Sequence, residues 1–257
     1  MKDKIDLSII IPTLNEAQRI TKSLTTLAHY LESFSLEVEV IVVDAHSPDG
    51  TADIAQSYAK HFSHFRVIDA GPRPKGKFIK GKQVRQGMLE AKGRYVMFMD
   101  ADLATPLKYL ENVKKLISQD TPVAICVRDL QSSHTGIRKA VSGLGNFLVQ
   151  MLILPGISDT QCGFKVFEGQ AAKSIFTRQT IVGWGFDMEI LAIARKLGYQ
   201  IDQIKVPDWR DVEVGSKIAG TSAVKAALQT FPDLIKIKWG LMTGKYKKPG
   251  KSNVEKS

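Results

Sequence analysis

Short apolar runs alternate with amphipathic stretches through the first half of this 257-residue chain. Leu7 to Ile11 is apolar and β-branched and stops at Pro12, the pattern of a buried strand. A helical pattern opens at Asn15-Glu16 and places Ile20, Leu24, Leu27 and Leu31 on one face. Val38 to Val43 reads as a second strand and runs into Asp44; Thr51 starts another helix. Arg66 to Asp69 is a third strand, Tyr95 to Met99 a fourth that runs into Asp100, and Val123 to Val127 a fifth that runs into Arg128. This alternation predicts an α/β fold: a mostly parallel, Rossmann-like central sheet flanked by helices.

The second half is less regular. The pattern predicts a helix from Ile137 to Leu154, a turn and short strand from Asp159 to Phe167, and a helix from Asp187 to Lys196 ended by Gly198. Tyr199 to Val206 reads as a strand and Ala223 to Phe231 as a helix, with Pro232 starting a further helix that leads into a lysine-rich tail. There is no internal repeat and no linker between separate cores, so a single domain with a C-terminal helical extension is expected.

Composition narrows the classes. Hydrophobic residues make up 44% of the chain, which excludes extensive disorder. The 36 basic and 26 acidic residues leave a net charge of +10. Two cysteines, Cys126 and Cys162, cannot build a disulfide framework and fit a reducing compartment. No apolar stretch reaches the roughly 18 residues of a membrane span, and Met1-Lys2-Asp3-Lys4 does not resemble a signal peptide. The expectation is a soluble, cytoplasmic protein. The five histidines show no H-E-x-x-H spacing, and G-x-S-x-G and P-loop motifs are absent.

Polar residues gather where the strands end: Thr13, Asn15 and Glu16, then Asp44, then Asp100 and Asp102, then Arg128. In open parallel sheets that edge is where ligands bind. Asn15, Asp49 and Thr51 are also natural helix caps. Asp100-Ala101-Asp102 follows a bulky apolar strand, and two carboxylates at that spacing suit a hard divalent cation shared with phosphate oxygens; solvated loop acids are the plainer alternative. Gly71 to Arg85 carries six basic residues, three glycines and no acid, a composition suited to an anion. Its basic residues alternate with glycine rather than with aromatics, which argues against specific nucleic-acid binding.

Taken in order, Ile9-Ile10-Ile11-Pro12-Thr13-Leu14-Asn15-Glu16, Val42-Val43-Asp44, Ser47-Pro48-Asp49-Gly50-Thr51, Gly81-Lys82, Gly93-Arg94-Tyr95 and Asp100-Ala101-Asp102 resemble the family 2 glycosyltransferases of the A-type fold. Asp159 to Lys165 and Gly183 to Glu189 look like the branch that loads sugars onto polyprenyl phosphates, first the dolichyl-phosphate β-glucosyltransferases and next the mannose synthases. The resemblance implies a catalytic domain over about residues 1–220, its nucleotide half ending near 130, and a C-terminal segment over 221–257. It implies that Pro12, Thr13, Asn15, Glu16, Asp44, Asp49, Lys82 and Asp100 bind the nucleotide sugar, UDP-glucose favoured. Asp100 and Asp102 would hold Mg²⁺ or Mn²⁺. Arg128 and Arg138 would meet the donor diphosphate or the acceptor phosphate, Asp159 and Gln161 would lie beside the acceptor, and Asp187 and Glu189 at the sugar end. Asp102, Asp159 and Asp187 are the implied catalytic set.

A phosphate acceptor is largely dianionic near neutral pH and needs no general base, whereas a sugar hydroxyl does. Three alternatives stay open: GDP-mannose as donor or a saccharide hydroxyl as acceptor, a nucleotidyltransferase, and a noncatalytic sugar-nucleotide-binding module. Leu234, Ile235, Ile237, Trp239, Leu241 and Met242, followed by many lysines, form either an interfacial helix on an anionic membrane's inner face or a helix packed on the domain. A membrane protein partner is the other route to a lipid acceptor.

Overall fold

The computed structural model describes residues 4–74, 77–128, 145–209 and 223–247. Within them one sheet holds β1 (Leu7–Thr13), β2 (Val38–Asp44), β3 (His64–Asp69), β4 (Tyr95–Met99), β5 (Val123–Arg128), β6 (Phe164–Glu168) and β7 (Ile201–Val206), in the order β3-β2-β1-β4-β6-β5-β7. The helices are α1 (Ala17–Leu31), α2 (Thr51–Ser57), α3 (Lys80–Glu90), α4 (Leu110–Ser118), α5 (residues 145–152), α6 (Gly169–Phe176), α7 (Phe186–Lys196) and α8 (Ala223–Met242). Every residue of β1, β2 and β4 is buried, which is why these strands read as continuous apolar runs, while β3 and β7 at the edges are largely half-buried or exposed.

Side chains alternate across the sheet and sort into two cores. Ile10, Val43 and Phe98 face α3, α6, α7 and α8; Ile9, Ile11, Val42 and Met97 face α1 and α4. Glu39 is an acid buried within β2, and it is satisfied: it accepts from Ser8 Oγ at 2.7 Å, from Arg66 Nη2 at 3.0 Å and from the Lys92 amide at 3.1 Å.

Strand β6 breaks the parallel rule. It runs antiparallel to both β4 and β5, with Phe164 opposite Met99. The chain entering β6 therefore arrives at the same edge where β1, β2, β4 and β5 end, and the Asp100 amide donates to Gly163 O at 3.1 Å. Helix α6, short and opening on a glycine, has no counterpart in the sequence reading; the Glu168 side chain caps it by accepting from the Ala171 amide at 2.9 Å.

Two expectations about helices change. Pro232 does not start a new helix but lies inside α8. The proline removes one backbone donor, and the helix continues because Leu234 and Ile237 anchor it in the core beside α7, each buried side chain contributing about 2 kcal/mol. Tyr246 belongs to the same core. The helix expected from Ile137 ends at residue 152, and its first part lies outside the described residues.

Helix α3 approaches the sheet at Gly87, where an added Cβ would stand 2.6 Å from Ile10 Cγ2 and 3.0 Å from Val43 Cγ2. Helix propensity favours alanine there by about 1 kcal/mol, but overpacking costs about 1–3 kcal/mol. Gly87→Ala is expected to lower stability by about 1 kcal/mol in urea unfolding; a net gain would show that α3 is not pressed against β1.

Candidate active site

The strand ends and the turn before β6 surround a cleft of about 300 Å³. Pro12, Thr13, Glu16 and Arg19 line it from β1 and the start of α1; Lys80 and Gln83 from α3; Asp100 and Asp102 from the end of β4. Arg128, Gln161, Trp184, Asp187 and Trp209 close the other side, and Phe78 packs against Trp184 with ring centres 4.9 Å apart. Gln83 is fixed to the floor, its amide donating to Thr13 O at 2.6 Å and Val43 O at 2.7 Å.

Acid groups crowd this space, and two of them, Asp100 and Asp187, are each paired with a lysine. Lys80 Nζ lies 2.5 Å from Asp100 Oδ1. Burial works against the Lys80 charge, but Asp100, Asp187 and Asp102 outweigh it and raise the lysine above its ordinary value. Asp102 is raised, by burial first and then by the neighbouring Asp100 carboxylate, against the Ala104 amide that donates to it at 3.0 Å. Asp187 is raised by burial, although Lys165 Nζ stands 2.5 Å from its Oδ1. Lys165 is fully buried on β6, also donates to Cys162 O at 2.6 Å, and sits over the Phe98 ring. Asp159 goes the other way. Burial opposes its ionisation, yet Arg128 holds both oxygens, Nε to Oδ2 at 2.6 Å and Nη2 to Oδ1 at 3.0 Å, and keeps the carboxyl below its usual range.

Gly163 makes the Asp100 position possible. A Cβ there would fall 2.0 Å from Asp100 Oδ2, so any side chain would take the carboxylate's place. Asp100 and Asp102 together offer hard oxygen donors facing an open cleft, and among the described residues no third acid, histidine or cysteine closes them into a complete cage. That donor set fits a cation which keeps positions free for phosphate oxygens.

The sequence pattern of glycosyl transferase family 2 matches residues 8–176. The chain belongs to that family. This glycosyltransferase is 33% identical over 251 residues to a dolichyl-phosphate beta-glucosyltransferase of Trichomonas vaginalis, covering 92% of this chain and 74% of the relative. It is 31% identical to the dolichyl-phosphate beta-glucosyltransferases of Dictyostelium discoideum (95% and 77% covered) and Saccharomyces cerevisiae (95% and 78%). Among solved structures, glucosyl-3-phosphoglycerate synthase from Mycobacterium tuberculosis in complex with UDP superposes with a TM-score of 0.64 at 18% identity, over 91% of this chain and 80% of that one. Mannosyl-3-phosphoglycerate synthase from Rubrobacter xylanophilus gives 0.63 at 16% identity, over 94% and 73%. Both share the A-type glycosyltransferase fold.

Several residues expected at the site stand elsewhere. Lys82 turns back to donate to Ala70 O at 2.5 Å, and Lys80 faces the cleft instead. Residues 80, 84 and 88 share the helix face that packs on the sheet, so Lys80 overlooks the sheet edge while Lys82, two positions on, does not. Asp44 is buried beneath the rim, accepting from Thr13 Oγ1 at 2.8 Å and from the Ser47 amide and hydroxyl at 2.7 Å. Asp49 staples α1 to α2 through the Ala17 amide at 3.1 Å and Thr51 Oγ1 at 2.6 Å, and exposed Asn15, at φ 52°, donates its amide N–H to Ser47 Oγ. Asp159 sits behind Arg128 rather than in the cleft wall. Arg138 lies outside the described residues. Gly163, Lys165 and Trp184 lie in the motifs Asp159 to Lys165 and Gly183 to Glu189 but were assigned no role, and Trp209 lies in no motif; Lys80 was one of six basic residues between Gly71 and Arg85, and only the phase of α3 could have marked it in advance.

Glu189 is the plainest correction. It does not border the cleft but is completely buried, accepting from Thr180 N at 2.9 Å, Thr180 Oγ1 at 2.7 Å, Ile181 N at 2.7 Å and Tyr246 Oη at 2.9 Å. Its carboxyl holds the loop before α7 and the C-terminal segment together. Glu189→Ala is expected to cost about 3 kcal/mol in chemical denaturation, since it strands buried donors. A loss under about 1 kcal/mol would mean the loop finds other acceptors.

Proposed function

We propose that this glycosyltransferase moves glucose from UDP-glucose to a polyprenyl phosphate, using a divalent cation at Asp100 and Asp102. The ion pairing of the remaining acids carries the reading: Asp159 is clamped at both oxygens by Arg128, and Asp187 accepts from Lys165. Neither is a free general base for a neutral hydroxyl, whereas a phosphate brings its own ionised oxygen. The relatives named as dolichyl-phosphate beta-glucosyltransferases support the acceptor and the sugar. The fold neighbour from Mycobacterium tuberculosis, whose complexes hold Mn2+ with UDP-glucose, supports the donor and the type of ion.

In this reading Pro12, Thr13 and Glu16 border the nucleotide, and the Phe78 and Trp184 rings wall off the sugar end from water. Lys80 releases Asp100 and turns toward the diphosphate. Arg128 and Gln161 face the acceptor phosphate; the planar guanidinium suits paired oxygens, and Asp159 behind it fixes its orientation. A bound Mg²⁺ or Mn²⁺ would offset the charge that gathers on the leaving diphosphate. No described helix is long and apolar enough to cross a membrane. We place the protein peripherally on the cytoplasmic side, which the two free, buried cysteines support.

Asp102→Asn separates catalysis from folding. The amide can still accept from the Ala104 amide but no longer repels Asp100, so stability is expected to hold or rise at neutral pH. Transfer should fall by about 10²–10³-fold. Activity within about twofold of the parent would remove Asp102 from the site. In the same assay, radiolabel from UDP-glucose is expected on polyprenyl phosphate and not on the matching alcohol. Equal labelling of both would contradict a self-ionised acceptor, and labelling only from GDP-mannose would replace the donor.

A further inference from the structure

Eight large apolar side chains are exposed among the described residues, and six of them stand on two helices. Phe231, Ile235, Trp239 and Met242 recur along one face of α8, from 48% to 70% exposed, and Phe147 and Met151 lie on α5 at 59% each. The Lys238 ammonium donates to Leu152 O at 3.0 Å and joins the two helices. The opposite face of α8 is spent on the core through Leu234 and Ile237, and the outer face stands exposed among the described residues. Scattered exposed leucines are ordinary; a row of Phe, Ile, Trp and Met across two adjoining helices marks a contact surface.

Its charge says what it contacts. Seven lysines follow Leu234 against the single acid Glu255, and Asp233 is turned inward beside Gly185. Two copies would bring like charges together, which disfavours a dimer through this face. An anionic lipid surface accepts both parts at once: the apolar row enters the headgroup boundary and the lysines meet the phosphates.

We propose that the outer face of α8, together with Phe147 and Met151 of α5, docks on an anionic lipid bilayer and fixes the cleft relative to it. This deepens the polyprenyl-phosphate reading above and rests on it for its purpose. The connection to the cleft is direct. Tyr246 Oη donates to Glu189 at 2.9 Å and Lys245 Nζ to Thr180 Oγ1 at 3.0 Å. Asp233 accepts from the Gly185 amide. These bonds tie the docking helix and its end to the segment carrying Trp184 and Asp187 into the cleft.

The test is flotation of the full chain with phosphatidylcholine vesicles containing increasing phosphatidylserine, without polyprenyl phosphate or nucleotide sugar. The bound fraction is expected to rise with phosphatidylserine and to fall as salt shortens the Debye length to below about 8 Å. Ile235→Glu with Trp239→Glu, and separately Phe147→Glu with Met151→Glu, are each expected to weaken partitioning by about tenfold or more. Their melting temperatures and UDP affinity should match the parent. Failure of the catalytic reading would leave this flotation untouched, and loss of flotation would leave transfer to a detergent-dispersed acceptor intact. The proposal is overturned if the chain stays soluble on strongly anionic vesicles at low salt, or binds without regard to phosphatidylserine. It is equally overturned if the variants float like the parent, or if sedimentation shows a parent dimer that the α8 variant splits, which would make the face a contact between copies.

Discussion

Negative charge at the carboxyl edge of the sheet is the constraint around which this molecule is arranged. Asp100, Asp102 and Asp187 border one cleft, and desolvating several carboxylates together is costly unless cations answer them. Lys80 answers Asp100 and Lys165 answers Asp187, while Arg128, bordering the same cleft, is paired with Asp159 behind it. Helix α3 must press against β1 to deliver Lys80, β6 must run backwards to place Lys165 and Gly163 at the edge, and β5 must end at Arg128. Asp102 is raised by its burial and by the neighbouring Asp100 carboxylate, with Lys80 and Arg19 acting against the shift. In the proposed reading, a divalent cation held at Asp100 and Asp102 would offset this negative charge.

The C-terminal segment extends this arrangement rather than decorating it. Glu189 inside α7 and Tyr246 after α8 meet in the core, so the loop bearing Trp184 and the last described residues form one bonded unit. An enzyme working on a lipid-borne phosphate must present its cleft at a defined angle to the membrane. In the proposed docking, the apolar outer face of α8, moored to the cleft's own wall, would meet that requirement.

Much of this was legible in the sequence, and the limits have physical causes. The strands buried on both faces announced themselves as apolar runs, and the polar residues at their ends marked the ligand edge. The ordered motifs identified the family, which composition alone could not have done. The direction of β6 was invisible, because a five-residue apolar strand reads the same either way. Lys80 and Lys82 look equivalent in a basic run; helix phase makes one a cleft residue and the other a brace for Ala70. Glu189 was expected at the sugar end on the strength of its motif, and only the tertiary fold supplies the four donors that let it be buried. Pro232 looked like a helix start because local rules say so, and core anchoring on its C-terminal side overrides them.

The central claim is that Lys80 holds Asp100 in place of an arriving cation. Crystals of the protein soaked with Mn²⁺ and UDP-glucose, measured at the manganese absorption edge, test it directly. The account predicts an anomalous peak about 2.1 Å from carboxylate oxygens of the Asp100–Asp102 pair, with the Lys80 ammonium drawn away from Asp100 toward the diphosphate. Nucleotide bound in the cleft with no metal peak and the Lys80–Asp100 pair intact would contradict it.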